Sequence, residues 1–324
     1  MHFGMIVIAI GLGLFLRFLW LRASSSSQTP LWTPTLAIFL CPPLLLWMTA
    51  IAILCMGHHG RMMGNSVGWV SCVIAAGWCL YGLGLLIQAG WQTWRSHLSL
   101  RQWPLLTLLP TVLSHGTAED SIQVQKSETR SSTARLLDTS IPFAAQVGFW
   151  RSHLIVSDGI LSHLPHEQSQ AIVCHEQAHA HYRDCFWFFW LGWIRRMMSW
   201  MPATDALWQD LILLRELRAD QWAARRVDRL DLAEALLQVS AQQLMANVSA
   251  TVAVPDFLKT WFEDHPESKS AIAACTAAQN RLEVRIDALL TVPSPSTAHS
   301  YVQGFSWLTL ASSCVPLLTL PLHH

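Results

Sequence analysis

The chain has 324 residues, of which 52% are hydrophobic and only 13% are charged. A soluble globular protein usually carries about a quarter charged residues, so this composition argues against an ordinary soluble domain and favours a membrane protein. Its 21 basic and 21 acidic residues balance, which leaves no basic excess for direct nucleic-acid binding and no acidic tail.

Four stretches have, or nearly have, the roughly 20 apolar residues that a membrane-spanning helix needs. In chain order they cover residues 3–21, 31–56, about 66–91 and 302–322. We interpret the first as an uncleaved anchor rather than a signal peptide, because no Lys or Arg precedes it and no convincing small-residue cleavage site follows. Arginines after the first and third stretches favour an external N-terminus and a cytoplasmic segment after the third.

These stretches divide the chain into three parts. Residues 1–93 hold three predicted transmembrane helices, and residues 302–324 hold the last one. Residues 94–301 are long enough for a domain and contain nearly all the acidic residues, so we expect the catalytic domain there. Within it, about residues 114–133 are rich in Ser, Thr, Glu and Gln, which predicts a flexible surface loop.

Two short strands are predicted next, in residues 141–150 and 154–156, and they end in a turn at residues 157–159. An extended peptide can add to the edge of a sheet, and the strand near residues 146–149 is a candidate for binding a substrate in this way. An ordinary core hairpin explains the same pattern equally well.

The following segment, residues 167–181, comes after Pro165 without a helix breaker and is predicted to be a helix. Residues four apart share one face of a helix, so His175 and His179 present their imidazoles together at a spacing that binds one zinc ion. Glu176 lies one step round the helix, where it can reach a metal-bound water and accept its proton. Because the chain has 15 histidines, this pattern alone does not decide the function.

A third metal ligand is predicted on a second helix, over residues 214–224. Glu216 and Asp220 lie four apart on one face, so Glu216 can complete a catalytic zinc site that keeps one position open. Asp220 can accept a hydrogen bond from a ligand imidazole and fix its tautomer. The alternative is a solvated charged face on which Arg215, Arg218 and Asp220 pair among themselves.

Taken together, several motifs resemble the BlaR/MecR-type membrane metallopeptidases. They are Pro142-Phe143, Gly148-Phe149-Trp150, Leu154-Ile155-Val156-Ser157, His175-Glu176-x-x-His179-x-x-x-Arg183-Asp184 and Glu216-x-x-x-Asp220. The resemblance covers about residues 136–224 at the level of motifs. The more distant HtpX and CAAX-prenyl-protease group shares the two zinc helices.

The resemblance implies a mainly α membrane protein, with about four transmembrane helices and an α+β gluzincin-like metallopeptidase domain inserted between the third and the fourth. It also implies that His175, His179 and Glu216 hold one Zn²⁺ and that Glu176 is the general base. Known family members cleave transcriptional repressors of the BlaI/MecI type. The β-lactam sensors of the family carry an external penicillin-binding domain after the last span, whereas this sequence stops at His324, so we do not expect β-lactam sensing by this chain alone.

Four further charged residues have candidate roles. Arg183 and Asp184 are expected to pair with each other near the end of the first zinc helix. Arg281 and Arg285, on a predicted helix over residues 280–290, are candidates for stabilising the oxyanion of a hydrolytic transition state. They are equally well explained as ordinary surface arginines.

A very apolar segment, residues 185–201, is interrupted by Arg195 and Arg196. Burying that pair in a full span would be costly, so we interpret the segment as a helix that lies at or dips into the bilayer surface, anchored by tryptophans. The alternative is a core helix capped by the arginines.

The leading hypothesis is a bacterial inner-membrane zinc endopeptidase whose active site faces the cytoplasm. Its expected partners are the lipid bilayer and a protein or peptide substrate, such as a BlaI-type repressor. A second hypothesis is an HtpX-like quality-control protease that degrades damaged membrane proteins. A third is a non-enzymatic membrane signalling or scaffold protein with a structural zinc site, against which the presence of Glu176 argues.

Overall fold

A computed structural model describes residues 2–24, 31–57, 61–62, 65–66, 68–100, 105–107, 133–248 and 271–291. This part of the chain is mainly helical and includes one small four-stranded sheet. It divides into two compact units. Among the described residues, the first unit comprises the chain up to Trp91 together with Trp190–Arg215, and the second comprises Gln92–Phe189 and Glu216 onward. The boundaries predicted from the sequence between the transmembrane parts and the catalytic domain, at residues 93/94 and 301/302, stay predictions.

The first unit begins with three long helices: α1 (His2–Ser24), α2 (Trp32–Met56) and α3 (Trp69–Leu100). A short hairpin of β1 (Arg61–Met62) and β2 (Asn65–Ser66) lies between α2 and α3. Two of the described helices, at Trp32–Cys55 and Trp69–Arg95, are long and apolar enough to cross a bilayer. The second and third predicted spans are therefore helices of suitable length and composition.

The other two predicted spans have different outcomes. Residues 3–21 lie within α1, so the helix is confirmed while its crossing of a bilayer stays a prediction. The fourth predicted span, residues 302–322, lies outside the described residues, as does the predicted loop at about 114–133 apart from its last residue.

Helices α1 and α2 pack against each other at a glycine. A Cβ atom placed on Gly13 would lie 2.9 Å from Cβ of Pro42, so only a residue without a side chain permits this approach. One turn further along α1, Arg17 is buried and donates hydrogen bonds to the Pro202 carbonyl at 2.8 Å and to the Thr204 hydroxyl. Arg17 is thus a buried residue within the first predicted span, whereas Arg22, which directly follows that span, is exposed.

The sheet of the second unit has the strand order β3-β4-β6-β5, formed by β3 (Leu105–Thr107), β4 (Thr133–Leu137), β5 (Ala144–Val147) and β6 (His153–Ser157). The central strands β4 and β6 are parallel, and β5 pairs antiparallel with β6. The two predicted strands are therefore confirmed as β5 and β6, and β5 forms one edge of the described sheet.

Six helices follow the sheet: α4 (Asp158–His163), α5 (His166–His181), α6 (Asp184–Met197), α7 (Thr204–Ala223), α8 (Arg229–Val248) and α9 (Ala271–Leu290). Ser157 caps α4, because its hydroxyl accepts a hydrogen bond from the Ile160 N–H. The helices predicted at residues 167–181, 185–201, 214–224 and 280–290 are confirmed as α5, α6, α7 and α9. Whether α6 lies at a bilayer surface stays a prediction.

Two apolar clusters hold α5 in place. In one, Ile172 and Val173 pack with Leu154 and Val156 of β6. In the other, Ala171 and Cys174 pack with residues of α7, α8 and α9, namely Ala223, Leu232, Ala233 and Leu289. The helix that carries the histidine pair is therefore fixed by its neighbours on the sheet and in the helical layer, which holds those side chains on a rigid element.

Candidate metal centre

Helix α5 places the two histidines of the predicted zinc motif side by side. His175 and His179 are one helical turn apart and are both buried. Their Nε2 atoms lie 3.2 Å from each other, and the rings meet edge to face with centroids 4.8 Å apart. Both nitrogens that can bind a metal therefore point at the same place.

Helix α7 brings Glu216 to this place. Its Oε2 atom lies 3.3 Å from Nε2 of His175 and 3.8 Å from Nε2 of His179. A tetrahedral zinc site with ligand distances of about 2.0–2.1 Å has its ligand atoms about 3.4 Å from one another. The separations of 3.2 and 3.3 Å agree with that value and the third, 3.8 Å, is somewhat longer, so these residues fit a metal ion bound by two imidazoles and one carboxylate.

Glu176 lies next to the same cluster. One ligand atom from each of His175, Glu176 and His179 falls within 4.8 Å of the others, so this group can bind a metal ion. Glu176 is half-buried, whereas the two histidines are buried. The Glu216 distances favour Glu216 as the third ligand and leave the half-buried Glu176 carboxylate beside the site.

Asp220 and Arg285 lie behind His175. Oδ1 of Asp220 lies 2.8 Å from Nδ1 of His175, a distance suited to an ion pair, although the N–H direction is not that of an aligned hydrogen bond. Arg285 of α9 donates to both oxygens of Asp220, from Nε at 2.7 Å and from Nη2 at 2.8 Å. Its Nη1 also lies 3.4 Å from Oε2 of Glu216. Arg285 therefore connects α9 to two acidic residues of the cluster.

Asp184 and Arg218 lie behind His179 in the same way. Oδ2 of Asp184 lies 2.8 Å from Nδ1 of His179, and Arg218 donates to the other oxygen of Asp184. The expectation that Asp184 would pair with Arg183 is wrong, because Asp184 is buried beneath the imidazole while Arg183 is exposed. Asp184 lies only five residues after His179 in the sequence, so it was an available candidate partner for that imidazole. No local pattern, however, predicts the turn between α5 and α6 that places Asp184 beneath the ring.

The charges around the cluster favour a cation between the imidazoles. Burial alone would lower the pKa of His175, but the carboxylates of Asp220 and Glu216 outweigh it and raise that pKa to about 9. Burial likewise opposes the shift at His179, where Glu216 and Asp184 raise the pKa. Burial would raise the pKa of Asp220, but Arg285 and His175 hold it below its usual value.

Several alternatives from the sequence are decided by burial. The solvated charged face predicted as the alternative for α7 is wrong, because Asp220 is only 1% exposed and Arg218 only 6%. Arg285 is not an ordinary surface arginine, since its side chain is 14% exposed and bound to Asp220. Its role at an oxyanion stays a prediction, as does that of the half-buried Arg281.

No protein-family model and no curated protein matches this chain. The resemblance to the BlaR/MecR type therefore depends on the motif residues themselves. The geometry of the cluster is an independent observation, and it concerns metal binding rather than any particular reaction.

Proposed function

We propose that this chain is a membrane-bound zinc endopeptidase that hydrolyses peptide bonds with a zinc-activated water. One observation carries the proposal: Nε2 of His175, Nε2 of His179 and Oε2 of Glu216 converge at the spacing of tetrahedral metal ligands. A further carboxylate, Glu176, lies beside them without being needed as a ligand.

In this proposal His175, His179 and Glu216 hold the metal. Zinc bound by two imidazoles and one carboxylate supplies Lewis acidity, which activates water and polarises a peptide carbonyl. Two imidazole nitrogens and a carboxylate oxygen are a donor set that zinc accepts, and they leave one position open for reactants.

Glu176 has the role of general base. Its carboxylate oxygen accepts the proton of the attacking water and then passes it to the amide nitrogen that leaves. A half-buried carboxylate suits both steps, because it is reachable by substrate and still shielded from bulk water. A structural metal site has no need of such a group, and this argues for catalysis over a scaffold role.

The edge strand β5 supports an extended peptide as the substrate. It forms one edge of the described sheet and packs against α5, the helix of the two histidines. Backbone groups at an edge strand can pair with an added chain, which holds a peptide extended without reading its sequence. This arrangement favours an endopeptidase over an enzyme that acts on small amides.

The proposed location is the bacterial inner membrane, with the active site in the cytoplasm. The two long apolar helices support attachment to a membrane. The orientation depends on the distribution of arginines alone. The proposed substrate, a BlaI/MecI-type repressor, comes from the motif resemblance, and an HtpX-like role in degrading damaged membrane proteins is the alternative. Cleavage of a purified repressor at one site supports the former, and broad cleavage of misfolded membrane proteins the latter.

The test of the catalytic proposal compares two glutamates on α5. The full chain is purified in detergent and assayed for zinc content and for cleavage of an unfolded protein such as casein. We expect Glu176→Gln to keep one zinc per chain and to lose about 100- to 10,000-fold in cleavage rate, the usual contribution of general acid–base catalysis. Glu167→Gln is the matched control, because Glu167 is exposed in the first turn of the same helix.

Three results would contradict the peptidase proposal: cleavage that survives a chelator, cleavage that survives Glu176→Gln, or zinc binding with no cleavage of any tested protein. The last result would favour the signalling or scaffold alternative.

A further inference from the structure

We infer that Arg218 is a positioning residue, which acts through Asp184 to hold the His179 imidazole with its Nε2 atom facing the metal. This inference rests on the metal centre of the proposed function, but it concerns a residue outside the predicted ligand set.

Asp184 contacts the imidazole of His179 directly. Oδ2 of Asp184 lies 2.8 Å from Nδ1 of His179, and both side chains are buried. A carboxylate accepts a hydrogen bond, so Asp184 holds a proton on Nδ1 of the imidazole, and in the neutral ring this leaves the lone pair on Nε2. A histidine that binds a metal through Nε2 needs this tautomer, and a carboxylate behind it is the usual way to secure it.

Burying the Asp184 carboxylate requires a compensating charge. Its side chain is only 3% exposed, and a buried carboxylate without such a charge is strongly unfavourable. Arg218, whose side chain is 7% exposed, donates to the oxygen of Asp184 that does not face His179. The guanidinium therefore balances the charge and leaves the other oxygen to the imidazole.

Arg218 is itself held by an aromatic ring. Its guanidinium carbon lies 4.1 Å from the centre of the Tyr182 ring, which fits a cation–π contact. Tyr182 directly follows α5, Asp184 begins α6, and Arg218 lies on α7. Between the first two, Arg183 has a left-handed backbone with φ of 54°, so the chain turns sharply there. Arg218 thus contacts the residues on both sides of this turn, Tyr182 and Asp184, and helps to hold Asp184 beneath His179.

His175 has a similar arrangement behind it, which offers a comparison. An aspartate, Asp220, lies behind that imidazole, and an arginine, Arg285, lies behind the aspartate. Arg285 additionally lies 3.4 Å from Glu216, so a substitution there disturbs a metal ligand directly. Arg218 offers the cleaner experiment, because the carboxylate that it binds, Asp184, is not a proposed metal ligand.

The experiment measures zinc affinity by competition with a chromophoric chelator, and the visible spectrum of the Co²⁺-loaded full chain. We expect Arg218→Met and Asp184→Asn each to weaken zinc binding about 10- to 100-fold, the range for loss of a partner behind a ligand histidine. Arg218→Lys should recover part of the loss, because lysine keeps the charge but not the planar fork. We also expect Arg218→Met to change the Co²⁺ spectrum.

The matched control is Arg226→Met. Arg226 also lies over an aromatic ring, 3.4 Å from the centre of Trp222, but it is exposed and donates to a backbone carbonyl instead of a buried carboxylate. We expect this variant to bind zinc with wild-type affinity and with an unchanged Co²⁺ spectrum.

A double variant keeps the test decisive if Arg218→Met does not fold. Asp184→Asn combined with Arg218→Met leaves no buried charge uncompensated. Because the two residues act as one unit, the zinc affinity of the double variant should not fall below that of whichever single variant binds zinc less tightly. Wild-type affinity and spectrum in folded Arg218→Met, or losses that simply add in the double variant, would overturn the inference.

The outcome is separate from that of the peptidase proposal. A wild-type chain that binds zinc but cuts no protein contradicts the peptidase function, while the ranking of zinc affinities still decides the role of Arg218. A failed ranking beside intact wild-type cleavage overturns only the positioning role.

Discussion

Arg285 holds both carboxylate oxygens of Asp220, with its Nε 2.7 Å from Oδ2 and its Nη2 2.8 Å from Oδ1. Such a two-pronged contact fixes geometry as well as charge. Because Asp220 also lies against His175, this pair joins helix α9 to the helices that carry the proposed metal ligands. Loss of either partner should therefore lower the stability of the second unit.

We expect Arg285→Met to destabilise the second unit by about 3–5 kcal/mol, because it leaves the buried Asp220 carboxylate with less compensating charge. Thermal unfolding of the metal-free protein measures the effect without interference from zinc. Combining it with Asp220→Asn should recover much of the loss, since the most deeply buried carboxylate that Arg285 balances is then removed as well. Arg225→Met is the control, because Arg225 is exposed. Equal stability of the Arg285 and Arg225 variants would contradict the buried pair.

Removal of the third ligand should cost more zinc affinity than removal of any partner behind a histidine. We expect Glu216→Ala to weaken zinc binding by more than the ~10- to 100-fold that loss of such a partner costs. Equilibrium competition with a chelator gives the value. The control, Glu167→Gln, alters an exposed glutamate on α5 and should bind normally. If Glu176→Gln weakened zinc binding more than Glu216→Ala did, the assignment of ligand and base would have to be exchanged.

Zinc should stabilise the folded chain through the same cluster. Ligand that binds only the folded state stabilises it by about 2.7 kcal/mol at a concentration of 100 times Kd. We expect a higher Tm with zinc for the wild type and for Glu176→Gln, and no increase for His175→Ala. A zinc-dependent shift that persists in the His175→Ala/His179→Ala double variant would show that the metal binds elsewhere.

The contact between α1 and α2 supplies a prediction for the first unit. Gly13→Val should destabilise it by about 1–3 kcal/mol, because the added side chain overlaps Pro42 at a position where even a Cβ atom would approach to 2.9 Å. Gly11→Val is a matched control on the same helix, since no atom lies within 4 Å of a Cβ placed there. Thermal unfolding in detergent compares the two. A larger effect at Gly11 would contradict the packing of these helices.

Much of the secondary structure follows from local patterns. The apolar runs at residues 31–56 and 66–91 predicted helices, and the short apolar runs bounded by Pro and Gly around residues 141–156 predicted the strands β5 and β6, because both signals come from neighbours along the chain. The ends were less exact: α7 begins at Thr204, ten residues before the predicted start at 214, although Thr204 and the acidic Asp205 of its first turn are residues typical of a helix start.

The spacing of four residues already predicts that His175 shares a helix face with His179 and Glu216 with Asp220, because residues four apart lie on one face of any helix. The residues that lie behind the two imidazoles depend instead on how distant helices pack. Three charged residues come to the cluster from different helices: Asp184 from α6, Arg218 from α7 and Arg285 from α9. Their contacts join segments that are far apart in the chain. In the sequence a charged residue is expected at the surface. Only the packing of other elements around it shows that it is buried and needs a partner of opposite charge.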